Sequence, residues 1–428
     1  MSRVIQVFEF EKLTIHKDEL DRQLTKKELE KLYEFNDKND NCYFTGIRDG
    51  VKFKNFVGVI QIGGLTIEIL PKTDKNKSIK EDYNTWHKAL INMLRICKHI
   101  NITSMSEANL KKKHNSILEL YFEMYLDEVE QLLRVGLIKK YRKYSSNILA
   151  LKGRLDFNKN IQQNLIHQER FYTSHQIYDY ENIVNQILLR GLTILKSLTN
   201  NSILSDRINR VNLNFPEIKE ISIQKHHFEQ IKDNRKIVPY SKALQIAKML
   251  ILNYSPDIIS GQENMLTLLF DMNKLWEEYI YRMLIRSKSE VFNVSPQDNQ
   301  KFWENRTIRP DIVITHKNSD ISETYIIDTK WKIIEANKPS DNDLKQMFAY
   351  NMYWDAKKSM LLYPSSKSII EGFGNYHKGR ELKEYEKDVE IEYDRTNQCK
   401  VGFINVLDEN NQLNLDIGKD IFEKIVMK

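Results

Sequence analysis

Chain breakers are scarce, with 14 glycines and 8 prolines in 428 residues. Average usage is about 7% and 5%, so collagen-like, proline-rich and glycine-rich low-complexity chains are excluded and long uninterrupted elements are expected. The three cysteines, Cys42, Cys97 and Cys399, are far apart and form no CxxC or Cys/His spacing, which favours reduced thiols over disulfides or zinc. Long apolar runs are also missing, and charges interrupt the opening MSRVIQVFEFEKLTIHKDEL. Neither a membrane span nor a signal peptide is expected, which places the protein in the cytoplasm. No GxxxxGK[ST] occurs, so nucleotide hydrolysis is not expected of this chain. Nor is there an HExxH; His226 and His227 lack metal-ligand spacing.

Charge of both signs, by contrast, is abundant. Lys plus Arg number 65 and Asp plus Glu 59, a net +6. The basic excess lies before residue 260, and the remainder of the chain is slightly acidic. Its densest part is QLLRVGLIKKYRKYSSNILALKGRLDFNKN, where tyrosines interleave with Lys139, Lys140, Arg142, Lys143, Lys152 and Arg154. Such a stretch can contact DNA phosphates, or can be a solvated helix end in a lysine-rich chain. Lys111-Lys112-Lys113-His114 reads as a charged helix start.

Three patterns succeed one another. Residues 1–82 alternate short apolar runs with turns: Arg48-Asp49-Gly50 and Gly63-Gly64 read as hairpin turns, with VGVIQI and LTIEIL as strands, giving a β-rich domain. Residues 83–259 carry apolar side chains at three- and four-residue spacing and read as a mainly helical region. Residues 260–428 read as a helix over NMLTLLFDMNKLWEEYIYRMLIRSK, then strands EVFNVSPQ, IRPDIVITH and ETYIIDTKW, helix DNDLKQMFAYNMYWD, and strands KSMLLYPSS and VGFINVL. The fold class is multidomain α/β.

Chemistry concentrates in the last pattern. On a strand Asp328 and Lys330 project together while Thr329 points away. If that strand pairs with the one beginning at Pro310-Asp311, Asp311 reaches the same spot. Two carboxylates at a sheet edge need a cation, and Mg²⁺, which prefers oxygen ligands and keeps waters, suits them. Lys330 can then hold or help deprotonate the water that attacks a phosphodiester. Glu277, on the helix just upstream, is placed to reach the metal directly or through water. Gln346 and Tyr350, four residues apart on one helix face, can touch the phosphate or hold the lysine. The alternative is a surface salt-bridged strand end, worth little energetically. The apolar runs IVI and YII flanking the two acids argue against it.

Glu277, Pro310-Asp311, Asp328-Thr329-Lys330 and Gln346-x-x-x-Tyr350, in this order, resemble the PD-(D/E)xK nuclease superfamily. A wider set of segments, VGVIQIGGLTIEILPK, TWHKALINMLRI, LKGRLDF, YDYENIVNQILLRGL, FDMNKLWEEYI, RPDIV, IIDTKWK and LKQMFAYNMYW, is similar to the McrC family. That resemblance implies a C-terminal PD-(D/E)xK domain of the restriction-endonuclease-like α/β fold behind an N-terminal region that docks on a hexameric AAA+ GTPase, McrB. It also implies recognition of modified double-stranded DNA, GTP bound by the partner and not by this chain, and Mg²⁺ or Mn²⁺ as cofactor. Dimerisation of nuclease domains or of complexes would be needed for a double-strand break. By the same resemblance Asp311, Asp328 and Lys330 are the catalytic core, Glu277 an auxiliary acid and the Thr329 carbonyl a metal ligand. Arg48 and Asp49 could then act on nucleotide hydrolysis in trans. Two departures stand out: Trp276 where the family often has Phe, and extra length for which the acidic run at 381–392 is one candidate.

The reading is a Mg²⁺-dependent endonuclease subunit of a McrBC-like anti-phage restriction system. Alternatives are a stand-alone PD-(D/E)xK nuclease of repair or mobile-element control, and a non-catalytic DNA-binding scaffold that activates an NTPase.

Overall fold

The computed structural model describes residues 3–72, 79–97, 117–199, 201–232, 234–255, 265–317, 322–334, 338–356, 358–365, 372–376 and 397–426. Lys111 to His114 and the acidic run at 381–392 lie outside the described residues.

In chain order, β1 (Arg3–Phe8), β2 (Lys12–Thr14), α1 (Lys26–Lys38), β3 (Phe44–Ile47), β4 (Gly50–Phe53), β5 (Phe56–Ile62) and β6 (Leu65–Leu70) come first. The helix α1 was not expected within the β-rich stretch. A capping box starts it, with Thr25 Oγ1 accepting from Glu28 N and Glu28 Oε2 accepting from Thr25 N. Next come α2 (Ile79–Ile96), α3 (Ile117–Val135), β7 (Lys140–Ile148), β8 (Arg154–Leu155), α4 (Phe157–Asn164), β9 (Phe171–Asp179), α5 (Ile183–Leu198), α6 (Ser202–Asn214), α7 (Lys225–Glu229) and α8 (Ser241–Leu252). The remainder is β10 (Tyr254–Ser255), β11 (Met265–Asp271), α9 (Met272–Ser287), β12 (Phe292–Pro296), β13 (Gln300–Trp303), β14 (Arg306–Ile308), β15 (Ile312–Lys317), β16 (Ser322–Thr329), α10 (Asp341–Trp354), β17 (Lys358–Ser365), β18 (Phe373–Asn375), β19 (Gln398–Asn405) and α11 (Ile417–Ile425). Among the described residues no helix is long and apolar enough to cross a membrane.

One expectation is corrected. The run read as a single helix over 264–288 is a strand, β11, followed by α9. Met265, Leu266, Thr267 and Leu268 are all buried on β11, and a short continuous apolar run fits a buried strand as well as a helix. Asp271 ends the ambiguity: its carboxylate accepts from Asn273 N at 2.9 Å, so the helix starts after it.

The chain groups into two compact units, one of Met1–Val4, Val59–Ile67 and Ile102–Leu268, the other of Ile5–Gly58, Glu68–Asn101 and Leu269–Lys428. β1, β5, β6, β10 and β11 make one sheet in the order β1-β6-β5-β11-β10.

In the first unit α5 packs on α6 and α8, and α3 packs on α6 and α8. The fully buried Tyr125 donates from its hydroxyl to Leu188 O at 2.7 Å. Arg207 holds Asp127 and Glu130 of α3. The segment Lys140–Ile148 is a strand that pairs with β9 over nine residues, from Lys140↔Asp179 to Ile148↔Phe171, with β8 on the other side of β9. Helical spacing gave no sign of this sheet. Its strands are mostly half-exposed or exposed, so they lack the apolar alternation that reveals a half-buried strand.

In the second unit a six-stranded sheet runs β12-β15-β16-β17-β19-β18. β15 is antiparallel to β12 and β16, whereas β17 is parallel to both β16 and β19. The parallel step from β16 to β17 needs a crossover, and α10 provides it. Val313, Ile326, Met347, Tyr350, Leu361 and Phe403 form a core cluster between this helix and the sheet. On the same unit α9 packs against α11.

Candidate active site

Pairing of β15 with β16 sets Ile312 opposite Ile327, so the residues just beyond that pair, Asp311 and Asp328, meet at one end of the sheet. Asp311 Oδ2 accepts from Thr329 N at 2.7 Å and from Thr329 Oγ1 at 2.9 Å. The Thr329 hydroxyl therefore engages the site instead of pointing away from it. Asp311 comes before its strand begins, and can reach across the strand end to a main-chain N–H that has no ladder partner there. Lys330 Nζ lies 2.6 Å from Asp328 Oδ2 and 3.8 Å from Asp343 Oδ1. The first contact is an ion pair whose approach leaves that oxygen without a directed hydrogen bond.

Supporting groups complete the site. Lys330 N donates to Leu362 O at 2.9 Å, which fixes the end of β16 on β17. Gln346 Oε1 stands 3.5 Å from Lys330 Nζ, and Gln346 Nε2 donates to Tyr350 Oη at 2.6 Å. Tyr350 in turn donates to Arg309 O at 2.8 Å. Glu277, on α9, accepts from Gln297 Nε2 at 2.7 Å, and Gln297 N donates to Asp311 O at 2.9 Å.

Electrostatics follow from this crowding. Asp328 is 1% exposed; burial first, then the Asp311 charge, push its carboxyl upward, and Lys330 only partly offsets them. Burial raises Asp311 too, against the Thr329 hydrogen bonds and Lys330. Burial and Asp311 raise Glu277. For Lys330 burial works against the charge, but Asp328, with Asp343 and Asp311, prevails and the ammonium is held. Asp343 pays a burial cost of its own, yet its hydrogen bond from Lys332, at 2.7 Å, brings its carboxyl below the usual range.

The site thus brings together Asp311, Asp328, Thr329, Lys330, Gln346 and Tyr350, with Glu277 tied in through Gln297. The roles of Gln297 and Asp343 carried no sequence signal beyond an acid three residues before Gln346. Among the described residues no three His, Cys, Asp or Glu side chains converge as a metal cluster. The donor set still fits an oxygen-preferring divalent ion, because the Asp311 charge bears on the buried Asp328 carboxyl and a cation between them would relieve it. Such an ion keeps several waters and needs few protein ligands.

The other expected positions lie elsewhere. Arg48 and Asp49 form a two-residue turn between β3 and β4, with Asp49 at φ 58° and the exposed Arg48 side chain 3.9 Å from the Asp49 carboxylate. Lys140, Arg142 and Lys143 lie on β7, with Lys139 just before it, and Arg154 on β8, two residues after Lys152. Arg142 is neutralised by Asp179, with Nη2 2.9 Å from Oδ2, and Lys139 stands over the Tyr180 ring at 4.6 Å.

Residues 51–364 match the family described as McrBC 5-methylcytosine restriction system component. The chain belongs to this McrBC family. It is 21% identical over 297 residues to the type IV methyl-directed restriction enzyme EcoKMcrBC of Escherichia coli (strain K12), covering 63% of this chain and 83% of that protein. Its fold is similar to a chain in the refined half-complex from the tetradecameric assembly of Thermococcus gammatolerans McrB AAA+ hexamers with bound McrC. The TM-score is 0.68 at 18% identity, over 97% of this chain and 98% of that one. Membership in the McrBC family makes the chain a restriction-system component.

Proposed function

We propose that this chain is the McrC-type subunit of its restriction system, a Mg²⁺-dependent DNA endonuclease with a PD-(D/E)xK site. The observation that carries the reading is Asp311 meeting the buried Asp328 at a sheet end, with Lys330 2.6 Å from Asp328, a costly arrangement unless a cation and an anionic substrate complete it. Asp311, Asp328 and the Thr329 carbonyl would hold the ion, with Glu277 at its margin. When bound, it would supply charge stabilisation for the phosphoryl oxygens and acidify water. Lys330 holds the attacking water beside Asp328 and, remaining protonated, stabilises the anion that develops. Gln346 orients Lys330, and Tyr350 keeps Gln346 in place.

The partner is a McrB-like AAA+ GTPase hexamer that binds the GTP, and the substrate is modified double-stranded DNA. The fold likeness to a chain of the McrB–McrC assembly supports the partner, and the methyl-directed relative supports the substrate. Within the chain, the arm of β7, β9 and α4 favours a protein contact over DNA. Leu149, Leu151, Phe157, Ile161, Leu165 and Ile166 are 61–88% exposed there, while Arg142 is already paired.

Asp328→Ala and Lys330→Ala, assayed on methylated plasmid with Mg²⁺, GTP and the partner, should each lower cleavage by at least about 10²-fold and leave partner GTPase stimulation intact. Cleavage retained in both variants would assign the chemistry to another site.

A further inference from the structure

Glu9, just beyond β1, has a carboxylate that is almost wholly enclosed, with the residue 6% exposed. Its Oε1 accepts from Trp331 Nε1 at 2.6 Å and from Lys72 N at 3.1 Å, and its own N–H donates to Leu70 O at 2.9 Å. Oε2 is buried with no hydrogen-bond partner among the described residues. A glutamate in this position is expensive to bury, and a hydrophobic residue would fill the space at less cost. Trp331 is the residue directly after Lys330. Its ring lies 5.2 Å from that of the fully buried Trp276, which directly precedes Glu277. One indole therefore adjoins two parts of the candidate site, and among the described residues Glu9 receives its N–H.

We infer that Glu9 is a positioning residue of the nuclease site, fixing Lys330 and the Trp276–Glu277 turn through the Trp331 indole; this rests on the endonuclease reading above. Residues 322 apart in sequence are joined by that bond, so a segment near the start of the chain takes part in setting the catalytic lysine. A charge-assisted hydrogen bond of this length is among the stronger ones. Displacing a catalytic group by about 1 Å can cost on the order of 10²-fold in rate.

The test uses the full chain with its partner. Glu9→Leu and Trp331→Phe should each lower kcat for plasmid cleavage by about tenfold, with KM for DNA moving less than about twofold. Glu9→Gln, whose amide oxygen still accepts from the indole, should stay within about threefold of the parent, and the Glu9→Leu/Trp331→Phe double variant should be no worse than the poorer single one. A purely structural role would lower the melting temperature and leave kcat of the folded protein untouched, an outcome that overturns the inference. Asp328→Ala separates the two readings. If it abolishes cleavage while Glu9→Leu and Trp331→Phe match the parent, the nuclease stands and the positioning role falls. If the parent neither cleaves nor binds Ca²⁺ calorimetrically in an Asp328-dependent way, both fall together.

Discussion

Glu9 carries a thermodynamic consequence apart from its contacts. Burial, outweighing the Trp331 and Lys72 hydrogen bonds, raises its pKa from 4.5 to about 7. An acid raised in the folded state binds a proton there that the unfolded chain has released, so its contribution to stability falls as pH climbs from about 4.5 to 7. The amount is roughly 3 kcal/mol at most for a shift of this size. Glu9→Gln should therefore melt close to the parent at pH 5 and several degrees higher at pH 8, followed by differential scanning fluorimetry. An unchanged gap across that range would mean that Glu9 is not destabilised by its burial. Residues of the site were unequally legible. Alternation along one strand put Asp328 and Lys330 together, and the four-residue helix spacing put Gln346 beside Tyr350, which are local facts. Glu9 and Gln297 were silent, because each acts through a contact made only when distant segments fold together.

Elements were legible where one face is dry. The hairpin turn at Arg48-Asp49, the strands flanking Gly63-Gly64 and the β15, β16, α10, β17 succession all follow from apolar patterning. β11 was mistaken for the start of a helix because it is apolar without interruption, and β7 and β9 were missed because they are scarcely apolar. Helix placement around the site depends on a close approach that patterning does not register. A Cβ on Gly418 of α11 would collide with the main-chain oxygen of Met283 on α9, so the two helices meet there backbone to backbone. Gly418→Ala should cost about 1–3 kcal/mol, as overpacking does, read as a lower melting temperature. Since α9 bears Glu277, the same variant should reduce cleavage further than its stability loss explains.

At the scale of the molecule, composition offered no run long and apolar enough for a membrane helix and no cysteine spacing for a disulfide framework, but it could not show that the second unit gathers residues from both ends of the chain. Nor did net charge locate the candidate site, since Asp311 and Asp328 sit in the less basic part. The exposed apolar side chains of the first unit's arm yield a prediction of their own. Leu149→Ser with Ile166→Ser, at residues 71% and 88% exposed, should change stability by no more than about 0.5 kcal/mol and weaken co-purification with the proposed AAA+ partner. Unaltered co-purification would assign docking to another surface.

The interleaving of the second unit also bears on synthesis. Its parts are residues 5–58, 68–101 and 269–428, so Asp311 and Asp328 leave the ribosome long after Glu9 has emerged. At about 5–20 residues per second this interval is on the order of tens of seconds. A chain released early holds the N-terminal portion of the unit without the two acids, and a proteolytic fragment containing only the acids lacks Glu9. On the endonuclease reading, the first piece has none of the catalytic acids and the second lacks the support of Glu9, so premature termination or clipping yields at most an impaired nuclease.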